Sequence, residues 1–230
     1  MLAFVRQLPK TVTKGVSAIA HAGETIDIAR AARQKSEYAE ALRRLVDEVE
    51  VLPADECHPD CLFVEDTAVF ARGTAVVTRP GHPSRQGEEG AIRDALERIR
   101  ITGGRGGDAL NWSRLRVVSM QDMDPDATCD GGDVLFTGEH MFVGVSERTN
   151  AAGVAALAAA FGPSLPVIPV KVAGALHLKT TVTLLRPGML VFADNHAGRE
   201  VMERINSVLA GSLYKAVGVP DQLSANVVSV

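Results

Sequence analysis

The chain has 230 residues, 46% of them apolar and 23% charged, enough for one large domain or two small ones around a sizeable core. A net charge of −4 argues against nucleic acid or an anionic membrane as the main partner, and no apolar run approaches the roughly 18 residues of a membrane-spanning helix. Three cysteines, an odd number, argue against a disulfide framework and for a reducing compartment, read here as the cytoplasm.

The opening stretch MLAFVRQLPKTVTKG is basic, with no acid before Glu24, as in a transit peptide. Leu2-Ala3-Phe4-Val5 reads more easily as a first strand, and the apolar run is too short for a secretory signal. A helix is predicted over residues 25–49, because Tyr38, Leu42, Leu45, Val46 and Val49 share one helical face; VEVLP then reads as a strand.

From there a unit of strand, strand, helix and strand repeats. AVFARGTAVVTRP is predicted as a hairpin turning at Arg72-Gly73, followed by the helix EEGAIRDALERI and the strand RLRVVSM. Residues 101–113, ITGGRGGDALNWS, read as a Gly-rich insertion. DVLFTGEHMFVGVS turns at Gly138-Glu139 and leads into NAAGVAALAAAF and PVIPVKV; TVTLLRPGMLVFAD turns at Pro187-Gly188 and leads into AGREVMERINSVL and a strand around YKAVGVP. NVVSV starts what reads as one more first hairpin strand. One such unit cannot bury both faces of its sheet, so the units must pack around an axis or stack. Three full units and two partial ones suggest an α/β ring of five, incomplete at the C-terminus, in a single domain over 1–230.

Ionisable residues stand at the start of each hairpin. Asp60, Glu65 and Asp66 precede the first, Asp130 precedes the second with Asp133 entering it, and His177 precedes the third. Asp and Gly before a strand are ordinary turn residues, but three equivalent positions with ionisable groups point to a shared central pocket. Several carboxylates suit a cationic ligand, and a guanidinium matches them in bidentate fashion. Arg85 and Arg148, each near a helix start, are candidates to hold a ligand carboxylate or else solvated surface arginines. Cys57-His58-Cys61 is a weak metal signal without a second ligand pair.

HPDCLFVEDTAVF, TRPGHPSRQGE, DGGDVLFTGEHMFVGVSERTN and HLKTTVTLL, in this order and spacing, resemble the dimethylarginine dimethylaminohydrolases, members of the guanidine-modifying superfamily with the five-bladed pentein α/β propeller. The resemblance covers nearly the whole chain. It implies a hydrolase that converts Nω-mono- or dimethylarginine to citrulline and methylamine or dimethylamine through a covalent cysteine intermediate, without metal or organic cofactor. It implies His177 as general acid and base, Asp130 as the group that orients it, and Asp66 on the guanidinium, with Asp60 and Glu65 completing the acidic wall. Arg85 and Arg148 would hold the α-carboxylate and Val16 would be an apolar lid residue.

The family's nucleophilic cysteine lies beyond a segment like SANVVSV, so the expectation is a fragment in which no cysteine holds the nucleophile's place. Cys129, beside Asp130, belongs to the second unit and is a poor substitute. Alternatives are a non-catalytic short form that binds methylarginine or a partner, and a related arginine deiminase or amidinotransferase. The preference between mono- and dimethylarginine and the oligomeric state stay open.

Overall fold

The computed structural model describes residues 1–16, 26–103, 112–209 and 214–229. Strand β1 (Leu2–Arg6) pairs in parallel with β2 (Glu48–Leu52), from Leu2 opposite Glu48 to Arg6 opposite Leu52, and helix α1 (Ile28–Arg43) makes the crossover. The next three sheets share one pattern. In each, the middle strand pairs antiparallel with the strand before it and parallel with the strand after the helix. These are β3 (Ala68–Ala71), β4 (Thr74–Val77) and β5 (Arg116–Ser119) with α2 (Gly90–Thr102); then β6 (Val134–Phe136), β7 (Met141–Val145) and β8 (Val167–Lys171) with α3 (Ala151–Phe161); then β9 (Val182–Arg186), β10 (Met189–Ala193) and β11 (Lys215–Val219) with α4 (His196–Val208). The chain is thus an α/β protein of four small sheets, and among the described residues none closes into a barrel.

Local chemistry explains the punctuation. Arg72 and Gly73 both adopt positive φ, 48° and 76°, the combination a two-residue hairpin turn requires to match strand twist. Asp27, Asn150 and Asn195 cap α1, α3 and α4 by accepting from the amides of Arg30, Gly153 and Gly198. The helices then tie neighbouring sheets together. Ile92 and Leu96 of α2 pack with Ala75 and Val77 and reach Leu52 of the first sheet. Leu157 and Phe161 of α3 join Val69 and Val76 to Val134 and Met141. Val201 and Ile205 of α4 join Leu190 and Val182 to Leu135 and Phe142. Each large side chain removed from water in these clusters contributes about 1.5–3 kcal/mol.

Three expectations are corrected. Helix α1 ends at Arg43 and does not run to residue 49: the amides of Leu45 and Val46 turn back to the Leu42 carbonyl, Leu45 is exposed, and Val49 enters β2 opposite Ala3. The predicted start at residue 25 and part of the Gly-rich stretch, 104–111, lie outside the described residues; α2 itself runs through Thr102 and stops at Gly103 with φ 82°. Among the described residues of NVVSV, 226–229, no ladder forms. After a short helical turn, Gln222–Ala225, the chain runs beside β9, with the Val227 amide 3.4 Å from Thr183 Oγ1 and Ser229 Oγ donating to the Leu185 carbonyl. No described helix is long and apolar enough to cross a membrane.

Candidate active site

Each hairpin of the last three sheets is entered through a single 3-10 turn: Val64–Thr67, Gly131–Asp133 and Leu178–Thr180. The first turn packs on the second and the second on the third. Residues flanking the turns therefore meet although they come from three sheets. Asp66, Asp130 and His177, all buried, place a carboxylate or ring-nitrogen atom within 4.8 Å of one another.

His177 Nε2 lies 2.9 Å from Asp130 Oδ2, and the other oxygen of Asp130 accepts the Gly81 amide at 2.8 Å. Asp66 accepts the Gly132 amide on Oδ1 at 2.8 Å and Arg85 Nη1 on Oδ2 at 2.7 Å. The two glycines of DGGD are required by this closeness. A Cβ on Gly132 would stand 2.8 Å from His177 Nδ1 and 2.9 Å from Asp66 Oδ1; one on Gly131 would stand 2.0 Å from the Glu65 carbonyl oxygen. The carboxylates sit at a strand mouth because the turn before the strand is where three sheets converge.

The electrostatics follow from the contacts. Burial lowers the His177 pKa, but the hydrogen bond to Asp130 and the charges of Asp66, Asp133 and Asp130 outweigh it and hold the imidazole above its ordinary value. Burial raises Asp130, and the bonds from His177 and Gly81 with the charges of His177 and Arg85 hold it below the usual carboxylate range. The pair thus favours imidazolium and carboxylate.

A cavity of about 600 Å³ opens over these groups. Val16, Glu65, Asp66, Arg85, Asp130, Arg148 and His177 line it, with an apolar wall that includes Phe4, Tyr38 and Leu176. The structure thus brings seven of the eight sequence candidates to one cavity. Asp60 departs from the expected acidic wall: it is buried behind the lid position, accepting the Val16 amide on Oδ2 at 2.6 Å, while Gly15 leaves room for its carboxylate. Glu65 is exposed at the rim and pairs with Lys179 Nζ at 2.6 Å.

The two arginines separate. Arg85 is buried and already engaged: Nε and Nη2 donate to Glu88, Nη1 to Asp66, and Nη1 also lies 3.9 Å from Asp130 Oδ2. Arg85, the candidate to hold a ligand carboxylate, thus has its guanidinium set against the protein's own acids at the cavity wall. Arg148 is half-buried, and among the described residues no acid pairs with it. Its backbone is pressed against Gly81, where a Cβ would stand 2.1 Å from the Arg148 carbonyl oxygen.

The one cluster of metal-ligand type among the described residues is Asp66, Asp130 and His177, and Arg85 already supplies the cation between the two acids. At the Cys57–Cys61 motif, His58 turns to Asp55 Oδ2 and the Gln86 carbonyl. All three cysteines are free; Cys57 is exposed, Cys61 and Cys129 are buried, and burial drives both buried thiols upward. Sequence reading missed Glu88, whose place three residues after Arg85 is the spacing at which a partner in the same turn is found. It also missed Gly81, the amide donor to Asp130.

Comparison with known proteins gives two matching family models: RNA-editing substrate-binding complex 5 protein over residues 1–167, and arginine deiminase over residues 113–227. A dimethylarginine dimethylaminohydrolase of Streptomyces coelicolor is 41% identical over 170 residues; the match covers 73% of this chain and 59% of that protein's length. Putative hydrolase DDAH2 of Bos taurus is 32% identical over 225 residues, covering 97% of this chain and 72% of its own. Among solved structures, a cysteine-to-serine mutant of the Pseudomonas aeruginosa enzyme complexed with citrulline superimposes with a TM-score of 0.72 at 25% identity, over 95% of this chain and 76% of that one.

Proposed function

The chain belongs to the dimethylarginine dimethylaminohydrolase family, and from that membership we propose that its cavity takes methylated arginine or citrulline and serves hydrolysis of the substituted guanidine. We also read the repeated units as blades of one five-fold propeller-like domain. The observation that carries the functional reading is the buried His177–Asp130 pair, set in one cavity with Asp66 and with Arg148, which pairs with no acid among the described residues.

In this reading the ligand's α-carboxylate lies against Arg148, whose planar donors match it. Its guanidinium lies toward Asp66 and Glu65. A carboxylate offers about four acceptor sites, so Asp66 keeps capacity beyond its bonds to Gly132 and Arg85. Attack of a thiolate on the guanidinium carbon gives a tetrahedral adduct. His177, held protonated by Asp130, gives its proton to the departing amine nitrogen, and the C–N bond breaks to leave a thiouronium. Neutral His177 then takes a proton from water as the water oxygen bonds to that carbon, and loss of the thiolate, with the remaining hydroxyl proton released to solvent, gives citrulline. Arg85 acts in this scheme by fixing Asp66, and Asp60 by fixing the Val16 backbone. The match to the RNA-editing family model does not change this assignment, because buried acids at the cavity floor oppose phosphate.

None of Cys57, Cys61 and Cys129 is assigned as the thiolate, because the buried two are held as thiols and Cys57 is not among the residues lining the cavity. That observation favours a second reading, a binding protein for the same ligands without turnover. Calorimetry with citrulline and with asymmetric dimethylarginine, run beside an assay for citrulline release, separates the two. Binding with release supports the hydrolase, binding without release supports the second reading, and a folded sample that binds neither ligand overturns both.

A further inference from the structure

Asp133 ends the DGGD motif and is fully buried, yet it does not line the cavity. Its carboxylate accepts three hydrogen bonds. Oδ1 accepts the Leu178 amide at 2.9 Å; Oδ2 accepts the hydroxyls of Ser146 and Thr149, each at 2.7 Å. Because both hydroxyl protons point at Asp133, the hydroxyl oxygens are left to accept. Thr149 Oγ1 accepts the Asp130 amide at 3.1 Å, and Ser146 Oγ accepts the amides of Arg148 at 3.0 Å and Thr149 at 3.2 Å. Leu178 is the neighbour of His177. One carboxylate therefore anchors the backbone at or beside Asp130, Arg148 and His177, three residues on separate segments.

The fold makes room for this hub. A Cβ on Gly144 would stand 2.7 Å from Asp133 Oδ1, so the strand facing the carboxylate carries no side chain there. A purely local turn aspartate would bond within its own turn. Asp133 instead reaches Ser146 and Thr149 beyond the hairpin and Leu178 in the next sheet's entry turn.

We propose that Asp133 is the positioning residue of the site, holding Asp130, Arg148 and His177 in register through the Thr149 and Ser146 hydroxyls and the Leu178 amide. The consequence for ligand binding rests on the methylarginine reading above; the consequence for His177 does not.

The test is the titration of His177, followed by NMR on protein with 13C-labelled histidine and assigned with His177→Gln. Asp133→Asn keeps the shape but cannot accept from all three donors. The expected result is a fall in the His177 midpoint of about one pH unit, the scale on which a nearby carboxylate moves an imidazole. Thr149→Val removes no charge but takes away the acceptor for the Asp130 amide, and it lowers the midpoint as well; Thr149→Ser, which keeps the hydroxyl, leaves it at the wild-type value. Asp133→Asn also removes a charge that itself raises His177, so the Thr149 pair decides the positioning role whether or not Asp133→Asn folds. Folded Thr149→Val with an unmoved His177 midpoint overturns the positioning role. Failure of the wild type to bind citrulline counts against the methylarginine reading alone, since the titration needs no ligand.

Discussion

His177 Nε2 and Asp130 Oδ2 lie 2.9 Å apart across 47 residues of sequence, both buried, with a second proton donor, the Gly81 amide, on the far oxygen of the aspartate. Asp130 is thereby aimed, and the imidazole is aimed by it. Asp130→Asn removes the charge and leaves burial less opposed, so the His177 midpoint falls toward or below the ordinary histidine value. An NMR titration of the variant that matched the wild type would show the carboxylate to be irrelevant to the histidine.

The same pair sets a pH dependence of stability. His177 has a raised pKa in the fold, so its contribution is complete below the unfolded value of about 6.5 and is lost as pH rises through the folded value. Asp130 is lowered, so its contribution is present above the ordinary carboxylate value of about 3.9 and is lost as pH falls through the folded value. Thermal melts across pH compare wild type with His177→Gln. The expected Tm difference is largest in the mildly acid range and shrinks as pH rises past the histidine window; a difference independent of pH would contradict it.

Glycines 131 and 132 give a ranked prediction. Gly131→Ala drives a methyl into the backbone carbonyl of Glu65, which cannot swing aside, whereas Gly132→Ala meets the His177 ring and the Asp66 carboxylate. Gly131→Ala is therefore the more destabilising in melts, and Gly132→Ala shifts the His177 titration more than its loss of Tm suggests. The reverse ranking would count against the close packing of the two turns.

Glu88→Gln takes one of the two directly bonded counter-charges from the buried Arg85 guanidinium while Asp66 remains. Breaking a buried pair from one side costs about 3–5 kcal/mol. For a chain of this size that is a fall in Tm of roughly 6 to 20 °C. A differential scanning melt within a degree of wild type would show the pair to be dispensable.

Thiol labelling under native conditions tests the cysteine assignments. Exposed Cys57 reacts with a maleimide, while Cys61 and Cys129, buried and held as thiols, react after unfolding. Peptide mapping that found native labelling at Cys129 would reopen it as a reactive group near Asp130.

The hairpins were legible because their turns are written in local chemistry: Arg72-Gly73, Gly138 and Gly188 mark positions that positive φ requires. Helix α1 was read too long because Leu45, Val46 and Val49 continue the helical spacing by accident, two of them in a turn and one in β2. Ionisable residues at equivalent hairpin entries were visible as a pattern, and seven of the eight candidates line the cavity. Their orientation was not visible, because a carboxylate's direction is fixed by donors far away in sequence. Asp60 turns to Val16, Asp66 to Arg85 and Asp133 to Leu178, and no window of neighbouring residues contains those choices; the Arg85–Glu88 pair, three residues apart, is the local exception.

The Arg85 cluster has a consequence for how the chain is made. Asp66 and Glu88 bond to an arginine 19 and 3 residues away, whereas Asp130 must wait for a histidine 47 residues further on. As the polypeptide leaves the ribosome, the first group of acids travels with its own cation and can fold into the second sheet already neutralised. Asp130 meets the edge of that same guanidinium at 3.9 Å as soon as its turn is made, but its hydrogen-bonded partner His177, like Lys179 for Glu65, arrives only with the last sheet, so the order of synthesis runs from self-contained charge to pairs that only the assembled protein completes.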